Sequence, residues 1–221
     1  MKHTIIICLS LLAFIGCKKD NKEPPSSTIT GQIVYQKQPL SVRSGGVELE
    51  LWQNGYQLTT KIPVYVKDDG SFSAKVFDGN YKLTLLQNNG PWVSSTDSID
   101  IKVNGSAQVD VNVIPYFMVS GVSYQKNGNT ITATINIQEV NTDRSLEAVR
   151  LYIGQTVLTD QNFNLVNVSK SGAEIADINE PVVLTADIPA ALVAKGYSFV
   201  RVGIKTQGVA EMIYSLPEEL R

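Results

Sequence analysis

From Ile29 onward, apolar and polar positions alternate every second residue and are interrupted at short intervals by turn residues, which is how half-buried strands read. In the first half this pattern predicts strands over residues 30–35, 47–52, 64–66, 71–77, 81–86, 99–103 and 109–113. In the second of these, Val47, Leu49 and Leu51 share one face while Glu48, Glu50 and Trp52 share the other. Asn54-Gly55, Asp69-Gly70, Asp78-Gly79-Asn80 and Asn104-Gly105 supply residues that tolerate positive φ, as hairpin turns require. No stretch of this first body carries a helical period.

Pro115-Tyr116 ends the run and a second β series begins at once, with strands predicted over 117–124, 130–140, 149–153, 182–188, 197–206 and 209–215. Ile131, Ala133, Ile135 and Ile137 alternate with Thr130, Thr132, Thr134 and Asn136, which gives one buried and one wet face. The stretch 160–181 is less patterned and leaves room for an irregular strand. The fold class that follows is all-β, two β-sandwich domains in tandem over 29–114 and 115–221. Each half has its own apolar face, so each is expected to build its own core and to share a small interface with the other.

Residues 1–16 precede this pattern with a basic tip and an apolar stretch from Ile5 to Ile15, the form of a secretory signal peptide and too short for a membrane span. The ending Ile15-Gly16-Cys17 resembles a bacterial lipobox, which implies cleavage before Cys17 and lipidation of its thiol. Residues 17–28 bear charges and two prolines with hardly an apolar side chain, so they read as the lipidated Cys and a flexible tether. Acyl chains contribute roughly 0.8 kcal/mol per buried CH₂, which anchors a protein without spanning the bilayer. Charged residues directly after the Cys resemble the surface-export signals of Bacteroidota lipoproteins and imply an outer-membrane location at the cell surface.

Composition then removes function classes. The 221 residues carry 19 Lys+Arg against 21 Asp+Glu, a formal charge of −2 with no basic run, so nucleic acid is not an expected partner. His3, Cys8 and Cys17 are the sole His and Cys, and processing leaves a chain with no His and one acylated Cys. Such a chain assembles neither a Ser-His-Asp or Cys-His catalytic group nor a His- or Cys-based zinc site. No Gly-rich phosphate loop of Walker or Rossmann type is present, and no cofactor or metal is expected. Glu48 and Glu50, two apart on one strand face, are a candidate glycosidase pair, although such a face is ordinarily just solvated. Asp68-Asp69-Gly70 lacks the further spaced oxygens of a calcium loop and reads as a tight hairpin.

Sugar binding asks for a flat aromatic face for the C–H side of a pyranose and amides or carboxylates for its hydroxyls. Two groups have that make-up. One is Gln87-Asn88-Asn89-Gly90-Pro91-Trp92, which nominates Asn88, Asn89 and Trp92 as glycan-binding candidates; the other is Trp52, Gln53, Asn54 and Tyr56, which nominates Trp52 and Tyr56. Exposed indoles at Trp52 and Trp92 favour binding, whereas indoles that close the ends of a sandwich core favour a packing role. Tyr35, Tyr65, Tyr124 and Tyr152 read as strand aromatics packed on neighbours.

The first body, with Gly31-Gln32-Ile33-Val34, Val47-x-Leu49-x-Leu51, Asp69-Gly70-Ser71-Phe72 and Gly79-Asn80-Tyr81-Lys82-Leu83, resembles the prealbumin-like regulatory sandwich of carboxypeptidases. Residues 189–202, in which Leu192 precedes Tyr197, resemble the end of a fibronectin type III or immunoglobulin-like domain, and this makes Tyr197 a tyrosine-corner residue with its hydroxyl on nearby backbone. Together with Gly90-Pro91-Trp92, Pro115-Tyr116 and the segment from Val202 to Ser215, the whole mature chain resembles a two-domain family of Bacteroidota lipoproteins associated with SusC/SusD-type glycan import. The resemblance implies a non-enzymatic outer-membrane accessory to glycan capture and import that binds glycan. The alternative it leaves is a structural module that docks on a SusC/SusD-type transporter without touching glycan.

Overall fold

The computed structural model describes residues 23–55 and 60–221. The expected signal peptide, Cys17, the tether up to residue 22, and Tyr56 lie outside the described residues.

The first body contains β1 (Ser27–Tyr35), β2 (Gln38–Pro39), β3 (Glu48–Gln53), β4 (Ile62–Tyr65), β5 (Ser71–Val76), β6 (Gly79–Leu85), β7 (Ser98–Val103), β8 (Ser106–Gln108) and β9 (Val111–Asn112). In one sheet β1 is central, antiparallel to β5 and β2 and parallel to β8 and then β9. The facing sheet runs β4-β3-β6-β7, antiparallel throughout. The period-two pattern produces the sandwich directly: Leu49 and Leu51 of β3, Phe72 and Val76 of β5, and Tyr81 and Leu83 of β6 all point into one dry core. The Asp69-Gly70 turn is tight, with Gly70 N donating to Lys67 O at 3.0 Å, but it is not the expected hairpin: it carries the chain from β4 in one sheet to β5 in the facing one. Gly70 sits at φ +81°, and a Cβ there would lie 2.3 Å from the Leu40 carbonyl oxygen, so only glycine closes it.

The second body contains β10 (Phe117–Asn127), β11 (Thr130–Glu139), β12 (Leu146–Gly154), β13 (Val166–Ser171), β14 (Val182–Asp187), β15 (Ser198–Thr206), β16 (Ile213–Tyr214) and β17 (Glu218–Leu220), with one short helix α1 (Ala190–Lys195) before β15. Its sheets are β10-β11-β14 and β13-β12-β15-β16, with β17 pairing the start of β15. Ile131, Ala133 and Ile135 of one sheet meet Val149, Leu151, Ile153, Val200, Val202 and Ile204 of the other. The unpatterned stretch after residue 160 holds β13, while the strand expected over 209–215 shortens to β16.

Tyr197 is not a corner residue. Its ring packs edge-on to Phe199 and under the Lys195 ammonium, 4.5 Å from the centroid, because α1 turns the chain at Gly196 and leaves the phenol at the surface. The corner contact occurs in the first body, where the Tyr81 hydroxyl donates to the Phe77 carbonyl at 2.8 Å, four residues upstream.

The boundary between the two bodies is a packed joint. Met118 and Ile213 of the second body belong to the first body's apolar cluster, and Ser41 and Tyr214 make an isolated antiparallel bridge. Arg201 on β15 is fully buried at that boundary. Its Nε donates to Ser215 O at 2.8 Å, and its Nη2 reaches Ser41 Oγ and Val42 O, both at 2.8 Å, and Asp68 O at 3.2 Å. Arg43 Nη2 adds a bond to Glu211 Oε1 at 2.5 Å.

Candidate functional site

The loop after β6 does not form the site its composition suggests. Trp92 is 3% exposed and lies in the first body's core, so it offers no stacking face. The reason is the return of the chain: Trp92 bridges Pro115, Val93 N donates to Ile114 O at 2.9 Å, and the indole is clamped against the segment that joins the two bodies. Gly90 is required for this, since a Cβ there would meet Trp92 Cε2 at 2.1 Å. The Asn89 amide is spent as well, whereas Asn88 is exposed and engages its Oδ1 alone. Asn89 Oδ1 accepts from Glu48 N at 2.6 Å and its Nδ2 donates to Gly46 O at 3.1 Å, while Asn88 Oδ1 accepts from the Ser94 hydroxyl at 3.2 Å. Asn89 and Trp92 thus hold the loop to the first body and its exit segment, and Asn88 braces the loop through Ser94.

Trp52 has a different setting. It faces outward from β3, half-buried, and its Nε1 donates to Thr84 Oγ1 at 3.2 Å, which draws the indole toward β6. On the same sheet face Glu48 stands opposite Tyr65 and Glu50 opposite Pro63 on β4, and Trp52 stands opposite Lys82 on β6. Tyr65 is 56% exposed, because it alternates with the buried Val64 and Val66 and must point outward. Four residues along β3 separate the Tyr65 row from the Trp52 row, about 13 Å at the usual rise per residue.

Between the two aromatics, Lys61 Nζ donates to Glu48 Oε1 at 3.0 Å and to Glu50 Oε1 at 2.9 Å. The bonds to Glu50 and then Glu48 hold the Lys61 ammonium above its ordinary range. Lys82 pairs with Asp100 of β7 at 2.7 Å on the far side of Trp52. A wet sheet face with an aromatic at either end and fixed carboxylate oxygens between them can accept a row of hydroxyls. Both carboxylates share the one Lys61 ammonium.

A second exposed constellation had no strand period to reveal it. The loop 155–165 between β12 and β13 presents Phe163 at 63% exposure. Composition marks it all the same, with an aromatic set among Gln161, Asn162 and Asn164. Among the described residues, no three His, Cys, Asp or Glu side chains are grouped to hold a metal ion.

Residues 27–114 match the N-terminal domain model of a protein family of unknown function, DUF3823, and residues 117–219 match its C-terminal domain model, DUF3823_C. The chain belongs to this DUF3823 family. The crystal structure of a family member from Bacteroides ovatus is 37% identical, with a TM-score of 0.81, covering 87% of this chain and 97% of that one. A family member from Parabacteroides merdae is 33% identical, with a TM-score of 0.82, covering 90% of this chain and all of that one. A Bacteroides uniformis structure described as a "putative carbohydrate binding protein" is 19% identical, with a TM-score of 0.68 over 89% of this chain and 99% of that one, and so shares the fold. No curated protein is similar enough to match the chain.

Proposed function

We propose that this DUF3823 member is a non-enzymatic accessory of glycan capture and import that holds polysaccharide against the outward face of the sheet β4-β3-β6-β7. One observation carries the reading: half-buried Trp52 and exposed Tyr65 lie on the same outward sheet face, about 13 Å apart along β3, with two carboxylates fixed by Lys61 between them. Aromatic faces take the C–H side of pyranoses and the carboxylate oxygens take their hydroxyls. The fold shared with the Bacteroides uniformis carbohydrate-related protein supports it. Lipidation at Cys17, a cell-surface position on the outer membrane and work beside a SusC/SusD-type transporter belong to the same proposal. They rest on the apolar leader ending in Gly16-Cys17 and on the family resemblance of the sequence.

The test is affinity electrophoresis of the chain from residue 18 onward in gels containing β-glucan, mannan, xylan or pullulan. Retardation by at least one of them, weakened by Trp52→Ala and by Tyr65→Ala, is the expected result. Unretarded migration in all four, with the chain folded, counts against glycan binding and favours the docking alternative.

A further inference from the structure

The loop 155–165 has a division of labour among its polar side chains. Three are consumed in building it. Thr159, fully buried, donates from Oγ1 to Thr156 O at 2.6 Å and fills the space beside Gly154, where a Cβ would lie 2.3 Å from that oxygen. Asp160, 3% exposed, accepts at Oδ1 from Asn162 N at 2.7 Å and from Phe163 N at 3.0 Å, while its own N–H donates to Phe163 O at 3.2 Å. Asn164 Nδ2 closes the other side through Asp160 O at 2.9 Å and Gln161 O at 3.2 Å. The backbone around Phe163 is therefore fixed from beneath before anything binds.

The remaining side chains are unspent. Among the described residues, Gln155, Thr156 and Asn162 make no hydrogen bond through their side chains, and with Phe163, Asn164 and Leu165 they line an open cavity of about 310 Å³. From residue 154 to 167 the one charged side chain is Asp160, and it is buried under the loop. The surface thus combines a broadly exposed aromatic ring and the exposed apolar side chains of Val157, Leu158 and Leu165 with free amide and hydroxyl groups and no exposed charge. Charged ligands find no counter-charge there, and a purely apolar partner would leave the amides dry and unpaired, at a cost of about 1–3 kcal/mol each.

We infer that the Phe163 loop is a second glycan subsite, on the second body, that takes an uncharged pyranose: the ring stacks on the sugar's C–H face, and Gln155, Thr156 and Asn162 bond its hydroxyls. The inference rests on the glycan-binding reading but not on Trp52. Its chemistry also differs from the β3 face, where Lys61, Glu48, Glu50, Lys82 and Asp100 make every row charged. Rigid presentation of an aromatic on a loop avoids the ordering cost of binding, which is what pre-organisation contributes to affinity.

The experiment compares wild type, Phe163→Ala, Asn162→Ala, Phe163→Trp and Trp52→Ala, each from residue 18 onward, by affinity electrophoresis in neutral polysaccharides (β-glucan, mannan, xylan) and in a charged one (polygalacturonate). Phe163 is 63% exposed, so its truncation is expected to leave the melting midpoint unchanged. In the neutral polysaccharide that retards wild type, Phe163→Ala is expected to weaken the apparent affinity by tenfold or more, Phe163→Trp to restore it, and Asn162→Ala to weaken it less. Polygalacturonate retention is expected to be the same in Phe163→Ala and wild type. Equal retention of Phe163→Ala and wild type in that neutral polysaccharide overturns the second subsite while leaving the β3 face standing, whereas no retention of wild type in any gel fails the glycan reading itself. A Phe163→Ala protein that binds glycan normally but loses a SusC/SusD-type partner assigns the loop to protein docking and overturns the inference.

Discussion

Arg201 Nη2 lies 2.8 Å from Ser41 Oγ, a hydrogen bond that joins residues 160 positions apart and ties the second body to the first. The same guanidinium sits 4.5 Å above the Tyr214 ring, and its hydrogen-bond acceptors are carbonyls and a hydroxyl rather than a carboxylate. Burial pulls its pKa below the usual arginine range, yet the group remains charged at any ordinary pH. The two sandwiches are thereby tied to each other through a buried polar contact as well as apolar packing.

Arg201→Leu removes the cation, leaves Val42 O buried without its donor, and leaves Ser215 O and Asp68 O to compete for the single Ser41 hydroxyl proton. Each lost buried partner costs about 1–3 kcal/mol, so a destabilisation of about 3 kcal/mol or more is expected. Chemical denaturation monitored by intrinsic fluorescence checks this. Arg201→Lys should recover little, since an ammonium cannot reproduce the planar fork. A variant as stable as wild type would mean the joint is held by apolar packing alone.

Trp92→Ala should behave as a core truncation, costing about 3–5 kcal/mol. A melting midpoint lowered on the order of 10 °C follows for a chain of this size. Polysaccharide retention by the folded fraction should stay at the wild-type level. An unchanged midpoint with lost retention would return Trp92 to the binding site.

The Tyr124 hydroxyl lies 3.0 Å from Ser215 Oγ at the same boundary. Its pKa is pushed up to about 12, chiefly by burial, against the opposing effect of the Ser215 contact. Burial raises Tyr214 too. A phenol whose folded pKa exceeds its unfolded value of 10 contributes stability that is complete below pH 10 and is lost as pH rises through 12. Urea midpoints should therefore fall between pH 10 and 12, and less steeply in Tyr124→Phe. Parallel curves for the two proteins would show that Tyr124 is not responsible.

Much of the fold was legible because a period of two needs nothing but neighbouring residues. Leu49, Leu51, Phe72 and Ile135 declare their faces locally, and the structure buries all four. The same rule turns Tyr65 outward once Val64 and Val66 are placed inside, which corrects the expectation of a packed strand aromatic. Trp92 was not legible, since its burial depends on Pro115 returning to it, a contact set by tertiary structure. Arg201 is the same case: alternation with Val200 and Val202 turns it outward, and the first body then covers it. Phe163 sits in a loop without periodicity, and its exposure depends on the buried Thr159 and Asp160 beneath it.

Anchoring is tested on Cys17. Cys17→Ala should abolish lipid labelling and release the protein from membrane fractions, because the proposed acyl chains supply the membrane affinity. Unchanged partitioning into membranes would contradict the anchor.

The central claim is that polysaccharide lies on the β3 face, and titration of a retained polysaccharide into wild type, Trp52→Ala and Tyr65→Ala measures it most directly. Loss of a central aromatic anchor costs about 2 kcal/mol or more, roughly thirtyfold in affinity. The expected result is a loss of that size for Trp52→Ala and a smaller one for Tyr65→Ala, each with a native circular-dichroism spectrum. Wild-type affinity in a folded Trp52→Ala, Tyr65→Ala double variant would contradict the account.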